Sequence, residues 1–204
     1  YSVSGNVLTF NDGQKVTASV TAKTGYTTVF SSWSPSSGTI TGATTIMANF
    51  SRSPIKYTYT FTSTNSSYGT VSPTSLSVDY DSTYSVSGNV LTFSDGQKVT
   101  ASLTAKTGYT TLFSSWSSTS GTVKGAASIS ASFSRTANQY SIIYNCNGGT
   151  PTTAYSSNHT YDLSANLTAN KCSRSGFSYQ GWNTATNGSG TGYSDQQVVS
   201  NLKS

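Results

Sequence analysis

The sequence predicts an all-β protein built from small modules in tandem, and three observations carry that prediction. Residues Tyr1–Arg52 recur at Tyr84–Arg135, with 41 of 52 positions identical at an offset of 83. Repetition on this scale marks an array of structural units rather than one globule around one active site. Apolar residues alternate with Ser and Thr in short runs, which is the period of strands with one buried face. Within the complete unit, no segment sustains the i, i+3, i+4, i+7 apolar pattern of an amphipathic helix.

The complete unit runs over residues 55–135. Tyr57–Thr62 alternates aromatic residues with Thr and predicts its first strand. Ser66–Gly69 reads as a turn, and Leu76–Tyr80 alternates again. Tyr84–Val86 and Val90–Phe93 flank Ser87-Gly88-Asn89 as a hairpin. Asp95-Gly96 is turn chemistry that favours positive φ. In Lys98–Thr104, Val99, Ala101 and Leu103 are expected to face inward together. Gly108–Trp116 and Ile129–Phe133 complete the strands. The first copy, residues 1–52, lacks a counterpart of Tyr57–Thr83, so the chain is expected to open partway through a unit. Ser53–Ile55 and Thr136–Gln139 read as polar links, too short to act as flexible tethers. Residues 138–204 are a different sequence type. Tyr140–Tyr144 predicts a strand, Asn147-Gly148-Gly149 a turn, and Gln196–Leu202 a short helix or a strand.

Composition excludes several functions. Charged residues make up 8% of the chain, against about 25% in an average soluble domain. The acids are Asp12, Asp79, Asp81, Asp95, Asp162 and Asp195, with no Glu. The net charge of +5 thus reflects scarce acids, and the lysines are scattered singly without a basic stripe. That pattern argues against nucleic acid as a partner. No apolar stretch approaches the ~18 residues of a transmembrane segment.

Tyr144-Asn145-Cys146-Asn147-Gly148-Gly149, followed by Ser175-Gly176-Phe177-x-Tyr179-x-Gly181-Trp182-Asn183, resembles the internalin-type B-repeat. The resemblance covers nearly all of Tyr140–Ser204 and implies a β-grasp-like module, α+β with little helix. The preceding units resemble divergent versions through Gly69–Pro73, Gly108-Tyr109…Phe113-x-x-Trp116 and Ala131-Ser132-Phe133, with Thr110-Thr111 lengthening one spacing by two residues. Modules of this family end on a strand with an aromatic residue, and Leu202-Lys203-Ser204 is expected to stop short of it. The family occurs in tandem in bacterial and archaeal surface proteins, which implies an exported, adhesin-like parent.

Among candidate functional residues, Trp33, Trp116 and Trp182 suit sugar stacking. Their recurrence beside Phe30, Phe113 and Tyr179, one slot per unit, reads instead as core anchors. Cys146 and Cys172 are the only cysteines and lie in one small module, which a disulfide would staple. No metal ligand set accompanies them, and no cofactor is implied. His159 lies near Ser156, Ser157 and Asp162, but without a nucleophile-elbow motif or paired carboxylates. Catalysis is therefore not expected. Asn49, Asn65, Asn158, Asn166 and Asn187 begin Asn-x-Ser/Thr triplets and are candidate glycosylation acceptors.

The sequence therefore points to a structural spacer or stalk segment of a long secreted or cell-surface repeat protein. Its partners would be neighbouring repeats of the same chain. Two alternatives stand beside this. Exposed tyrosines such as Tyr1, Tyr84, Tyr109 and Tyr193, clustered on one face, would bind a glycan or a host or cell-surface protein. Open sheet edges would pair with other copies in an extracellular filament.

Overall fold

Alternation becomes strand throughout the computed structural model, which describes residues 1–202. Every regular element among them is a β-strand. The chain divides into two compact units, residues 1–102 with 113–132 and residues 103–112 with 133–204.

In the first unit, β1 (Ser2–Ser4), β2 (Val7–Thr9) and β3 (Lys15–Thr17) form an antiparallel sheet. β4 (Tyr26–Ser34) pairs with β5 (Met47–Pro54), with a register shift between Phe30 and Ser32. The complete repeat contributes β6 (Lys56–Ser63), β7 (Gly69–Ser72), β8 (Ser75–Asp79), β9 (Thr83–Ser87), β10 (Val90–Phe93), β11 (Lys98–Leu103), β12 (Tyr109–Trp116), β13 (Ser120–Thr122) and β14 (Ala127–Ala137). These build two sheets, in the orders β13-β9-β10-β11-β7 and β12-β14-β6-β8, with β6 and β14 parallel. The boundary between the two compact units falls within β12 and β14.

The repeated sequence folds alike in both copies. Asn6 Nδ2 donates to the Ala18 carbonyl at 2.8 Å, and Asn89 to that of Ala101 at 2.7 Å. The carboxylates of Asp12 and Asp95 accept from the N–H of Gln14 and Gln97, at 3.0 and 2.9 Å. Both acids therefore belong to tight turns, in which Gly13 and Gly96 hold φ near 87° and 88°.

Burial separates the copies. In the second, Tyr59, Phe61, Val78, Leu91, Phe93, Val99, Ala101, Trp116, Val123, Ile129 and Ala131 are buried. In the first, the buried set is Leu8, Ala18 and Trp33. Val16 is 48% exposed where its equivalent Val99 is 0%, and Ile40 is 45% exposed where Val123 is 0%. The cover in the second copy comes from β6 and its neighbours: Tyr59 and Phe61 close edge-on over Phe93 at 5.5 and 6.3 Å.

One expectation needs correcting here. Leu103 does not follow Val99 and Ala101 inward but is exposed at the end of β11. The short polar links lie almost wholly in strand backbone. β5 runs through Pro54 and β6 starts at Lys56, while β14 runs through Ala137 and the next strand starts at Gln139. Only Ile55 and Asn138 fall between them. Short polar residues kept in extended backbone satisfy their amides by cross-strand pairing, so no loop is needed.

In the second unit, β15 (Gln139–Tyr144) and β16 (Tyr155–Thr160) form an antiparallel pair. β17 (Ala165–Asn166) pairs with β20 (Val198–Val199), and β18 (Trp182–Asn183) with β19 (Gly192–Tyr193). Tyr144, Leu167 and Val199 form the core, with Ile142, Tyr155, Trp182, Tyr193 and Leu202 packed around it. The helix implied by the β-grasp resemblance does not form among the described residues. Gln196–Leu202 takes the strand alternative, because the Gln197 carbonyl accepts from Leu167 N–H beside the β17–β20 pair. Lys203 and Ser204, on which part of the expected truncation rests, lie outside the described residues.

Cys146 and Cys172 form a disulfide with Cα atoms 5.3 Å apart and a sequence separation of 26. The bridge ties together segments with little strand of their own. Replacing both cysteines with serine is expected to lower the stability of the second unit by about 3 kcal/mol. Urea denaturation with matched slopes would measure it, and an unchanged midpoint would contradict the assignment.

Candidate functional site: two matching junctions

Each copy of the repeat contains Lys-Thr-Gly-Tyr, at Lys23–Tyr26 and Lys106–Tyr109. Each of these meets a Tyr-Asp pair from the following module, Tyr80-Asp81 in the first unit and Tyr161-Asp162 in the second. The two contacts share one geometry, although the modules supplying the Tyr-Asp pairs differ in sequence.

Glycine is demanded twice over at the centre of each contact. Gly25 and Gly108 have φ of 78° and 79°, a region costly for any residue with a Cβ. A Cβ on either would fall less than 3.0 Å from ring carbons of Tyr80 or Tyr161. The phenol ring therefore lies directly on bare backbone. Tyr26 meets Tyr80 edge-on, with centroids 5.7 Å apart at 76°; Tyr109 meets Tyr161 at 5.6 Å and 75°. Such edge-to-face pairs add about 0.5–1.5 kcal/mol beyond area burial.

Hydrogen bonds close the contact. The Tyr26 hydroxyl donates to Asp81 Oδ2 at 3.0 Å, and the Tyr109 hydroxyl to Asp162 Oδ2 at 2.5 Å. Both aspartates hold positive φ, 66° and 59°, which Asp tolerates better than most residues. The linking residue bonds on both sides. Ile55 N–H donates to the Gly25 carbonyl and accepts at its own carbonyl from Tyr80 N–H, each at 2.8 Å. Asn138 does the same between Gly108 and Tyr161, at 2.8 and 2.9 Å. Lys23 and Lys106 cap the outer rings, with Nζ 4.4 and 4.2 Å from the centroids of Tyr26 and Tyr109. Lys124 also pairs with Asp81, and Lys106 lies 3.8 Å from Asp162.

These contacts shift the ionisation of the groups they join. The Lys124 ammonium and then the Tyr26 hydroxyl hold the Asp81 carboxyl below its ordinary value, against the opposing effect of burial. The hydroxyl of Tyr109 and the amide of Asn201 do the same for Asp162. The bond to Asp81 raises the Tyr26 phenol, with burial adding to it. A depressed carboxylate contributes stability above its unfolded pKa, and that contribution is lost as pH falls through the folded value. A raised phenol contributes below its unfolded pKa and loses that contribution as pH climbs through the folded one. The first junction is thus expected to hold between the carboxylate range near pH 4 and the phenol range near pH 10. Amide exchange of Ile55 and Tyr80 across pH should show protection fading at acid pH, and flat protection down to pH 2 would contradict it.

The sequence-derived candidates fall elsewhere. Trp33 and Trp116 are buried, and Trp182 is half-buried against Tyr144 and Tyr155. Phe30 and Phe113 pack beside their tryptophans at 5.7 and 6.0 Å. None of the three indoles offers an open platform, and their buried N–H groups find no partner. Tyr179 departs from the anchor reading: its ring touches Trp182 at 5.4 Å, yet it is 38% exposed. It sits in residues 174–181, a stretch that contains no strand. Desolvation and the Asp195 carboxylate nevertheless push its phenol up to about 12.

His159 is buried and bonds Ser157 Oγ through Nε2 at 2.9 Å. Its Nδ1 has no partner, while Asp162 is committed to the junction. An orienting acid is therefore missing from that pair. Tyr1, Tyr84, Tyr109 and Tyr193 are each half-buried, in separate clusters. Asn49, Asn158, Asn166 and Asn187 are exposed, and Asn65 is half-buried with its oxygen accepting from Ser67 N–H. No group of three potential metal ligands occurs among the described residues, and these contain no helix long and apolar enough to cross a membrane.

The junctions escaped sequence reasoning because each joins residues far apart, 55 positions in the case of Tyr26 and Asp81. A signal existed in the paired recurrence of Lys-Thr-Gly-Tyr and Tyr-Asp.

All-β modules joined through matched contacts define a tandem repeat protein. Residues 140–203 match the family model of the Listeria-Bacteroides repeat domain, a bacterial repeat family related to the internalin B-repeats. Searches of curated proteins and of solved structures return no match.

Proposed function

We propose that this chain is a spacer segment of a long secreted or cell-surface, adhesin-like repeat protein. On this reading residues 140–203 are an internalin-type module and the preceding repeats are divergent ones. The observation that carries it is the junction built twice: glycine, tyrosine, aspartate and a bridging backbone residue recur at both sites, with matching ring and backbone distances and the same Tyr–Asp hydrogen bond. Selection for a joint, rather than for a pocket, accounts for that recurrence. The disulfide supports an oxidising, extracellular setting. The half-buried tyrosines and enclosed indoles favour a spacer over an adhesive tip, and no catalytic role is proposed.

Two measurements test this together. Small-angle scattering should be insensitive to salt, since the joints rest on rings, glycine and short hydrogen bonds rather than on long-range charge. A glycan array and cell-binding assay should show no retention. Saturable binding abolished by substituting surface aromatics would overturn the spacer reading in favour of an adhesive module.

A further inference from the structure

The Lys-Thr-Gly-Tyr loop has a third relative at Arg174-Ser175-Gly176-Phe177. Gly176 has φ of 79°, matching Gly25 and Gly108. Phe177 N–H donates to the Arg174 carbonyl at 3.1 Å, as Tyr26 does to Lys23 at 3.0 Å and Tyr109 to Lys106 at 3.1 Å. The Arg174 guanidinium lies 4.4 Å from the Phe177 centroid, where the two lysines lie over Tyr26 and Tyr109. One feature differs. Nothing lies within 4 Å of the position a Gly176 Cβ would take, and Phe177 is 68% exposed. Beside it opens a cleft of about 660 Å³ that includes Asn147, Arg174, Phe177 and Tyr179.

We propose that Arg174–Phe177 is an open socket of the junction type, and that its occupant is the Tyr-Asp turn of a further β module. This rests on the spacer reading. The two filled sockets define the occupant's chemistry: a tyrosine ring laid flat on glycine, followed by an aspartate in the left-handed region. The occupant's linking residue would donate its N–H to the Gly176 carbonyl, as Ile55 and Asn138 do to Gly25 and Gly108. Phe177 lacks the hydroxyl that serves the aspartate in the other sockets. Arg174 compensates: its Nη1 donates to the Asn147 carbonyl at 3.0 Å, and a guanidinium has five N–H donors with which to meet a carboxylate.

The test uses the full chain with a second copy of residues 138–204 appended after Ser204. A flexible Gly/Ser linker of about 15 residues spans on the order of 20 Å. The expected result is displaced amide signals for Gly176 and Phe177, with slowed exchange, relative to the unfused chain. Replacing the appended copy's tyrosine, Tyr161→Ala, should return them. A second fusion carrying residues 53–135, with Tyr80-Asp81, repeats the test should the first copy fail to fold. A folded appended module that leaves the Gly176 and Phe177 signals unmoved overturns the proposal. So does movement of those signals only on adding free oligosaccharides to the unfused chain, which would make the socket a sugar site. An unmoved socket in a chain that still binds no glycan would sink this inference alone. Saturable glycan binding at other aromatics would sink the spacer reading and leave the fusion result standing.

Discussion

Gly108→Ala is expected to force the second junction open and to destabilise the unit formed by 103–112 and 133–202 by about 2–5 kcal/mol. The left-handed conformation at φ 79° costs a residue with a Cβ about 1–2 kcal/mol. Displacing the Tyr161 ring from a contact with no spare room adds about 1–3 kcal/mol. Loss of the Asn138 bridge and of the Tyr109–Asp162 hydrogen bond would follow from the same movement. Gly176→Ala is the internal control, because it shares the φ and has empty space where Gly108 has a ring. Its cost should stay within the conformational part, about 1–2 kcal/mol. Urea titrations of the two variants, with the Tyr161 ring signals followed by NMR, separate strain from collision. Equal midpoints would mean that the ring on Gly108 contributes nothing.

What the sequence made legible was local. The Tyr84–Phe93 hairpin follows from Ser87-Gly88-Asn89 between two alternating runs, and β9 pairs with β10 there. The disulfide followed from module size and from the absence of other ligands, again a short-range argument. The failures share a cause. Phe30, Phe113 and Tyr179 all precede a tryptophan by three residues, and that spacing is silent about which of them a strand will cover. Leu103 continues an alternating run past the point where a facing sheet exists. Ile55 and Asn138 read as links, but their bridging role went unread because their hydrogen-bond partners, Gly25 with Tyr80 and Gly108 with Tyr161, come from distant parts of the chain. Periodicity reports a face, and only topology says what that face meets.

The two copies of the repeat turn that point into a measurement. Phe93 and Phe10 occupy the same place after the same nine residues. Phe93 is buried, with Tyr59, Phe61 and Tyr84 around it at 5.5, 6.3 and 5.5 Å. Phe10 is half-buried, with Tyr1 at 6.1 Å. Truncating an enclosed phenylalanine leaves a cavity as well as losing transfer energy, so Phe93→Ala is expected to cost about 3–5 kcal/mol. At Phe10 part of the ring already faces water and no closed cavity can form, so roughly half that cost is expected. Guanidinium unfolding of each variant against the parent chain gives both values. Because the hairpin is the same in both copies, the difference between them measures what β6 contributes by laying Tyr59 and Phe61 across it. Equal costs would mean that the hairpin carries its own stability and that the cover is incidental. The exposed Val16 and Ile40 would then be ordinary surface residues rather than half of a core.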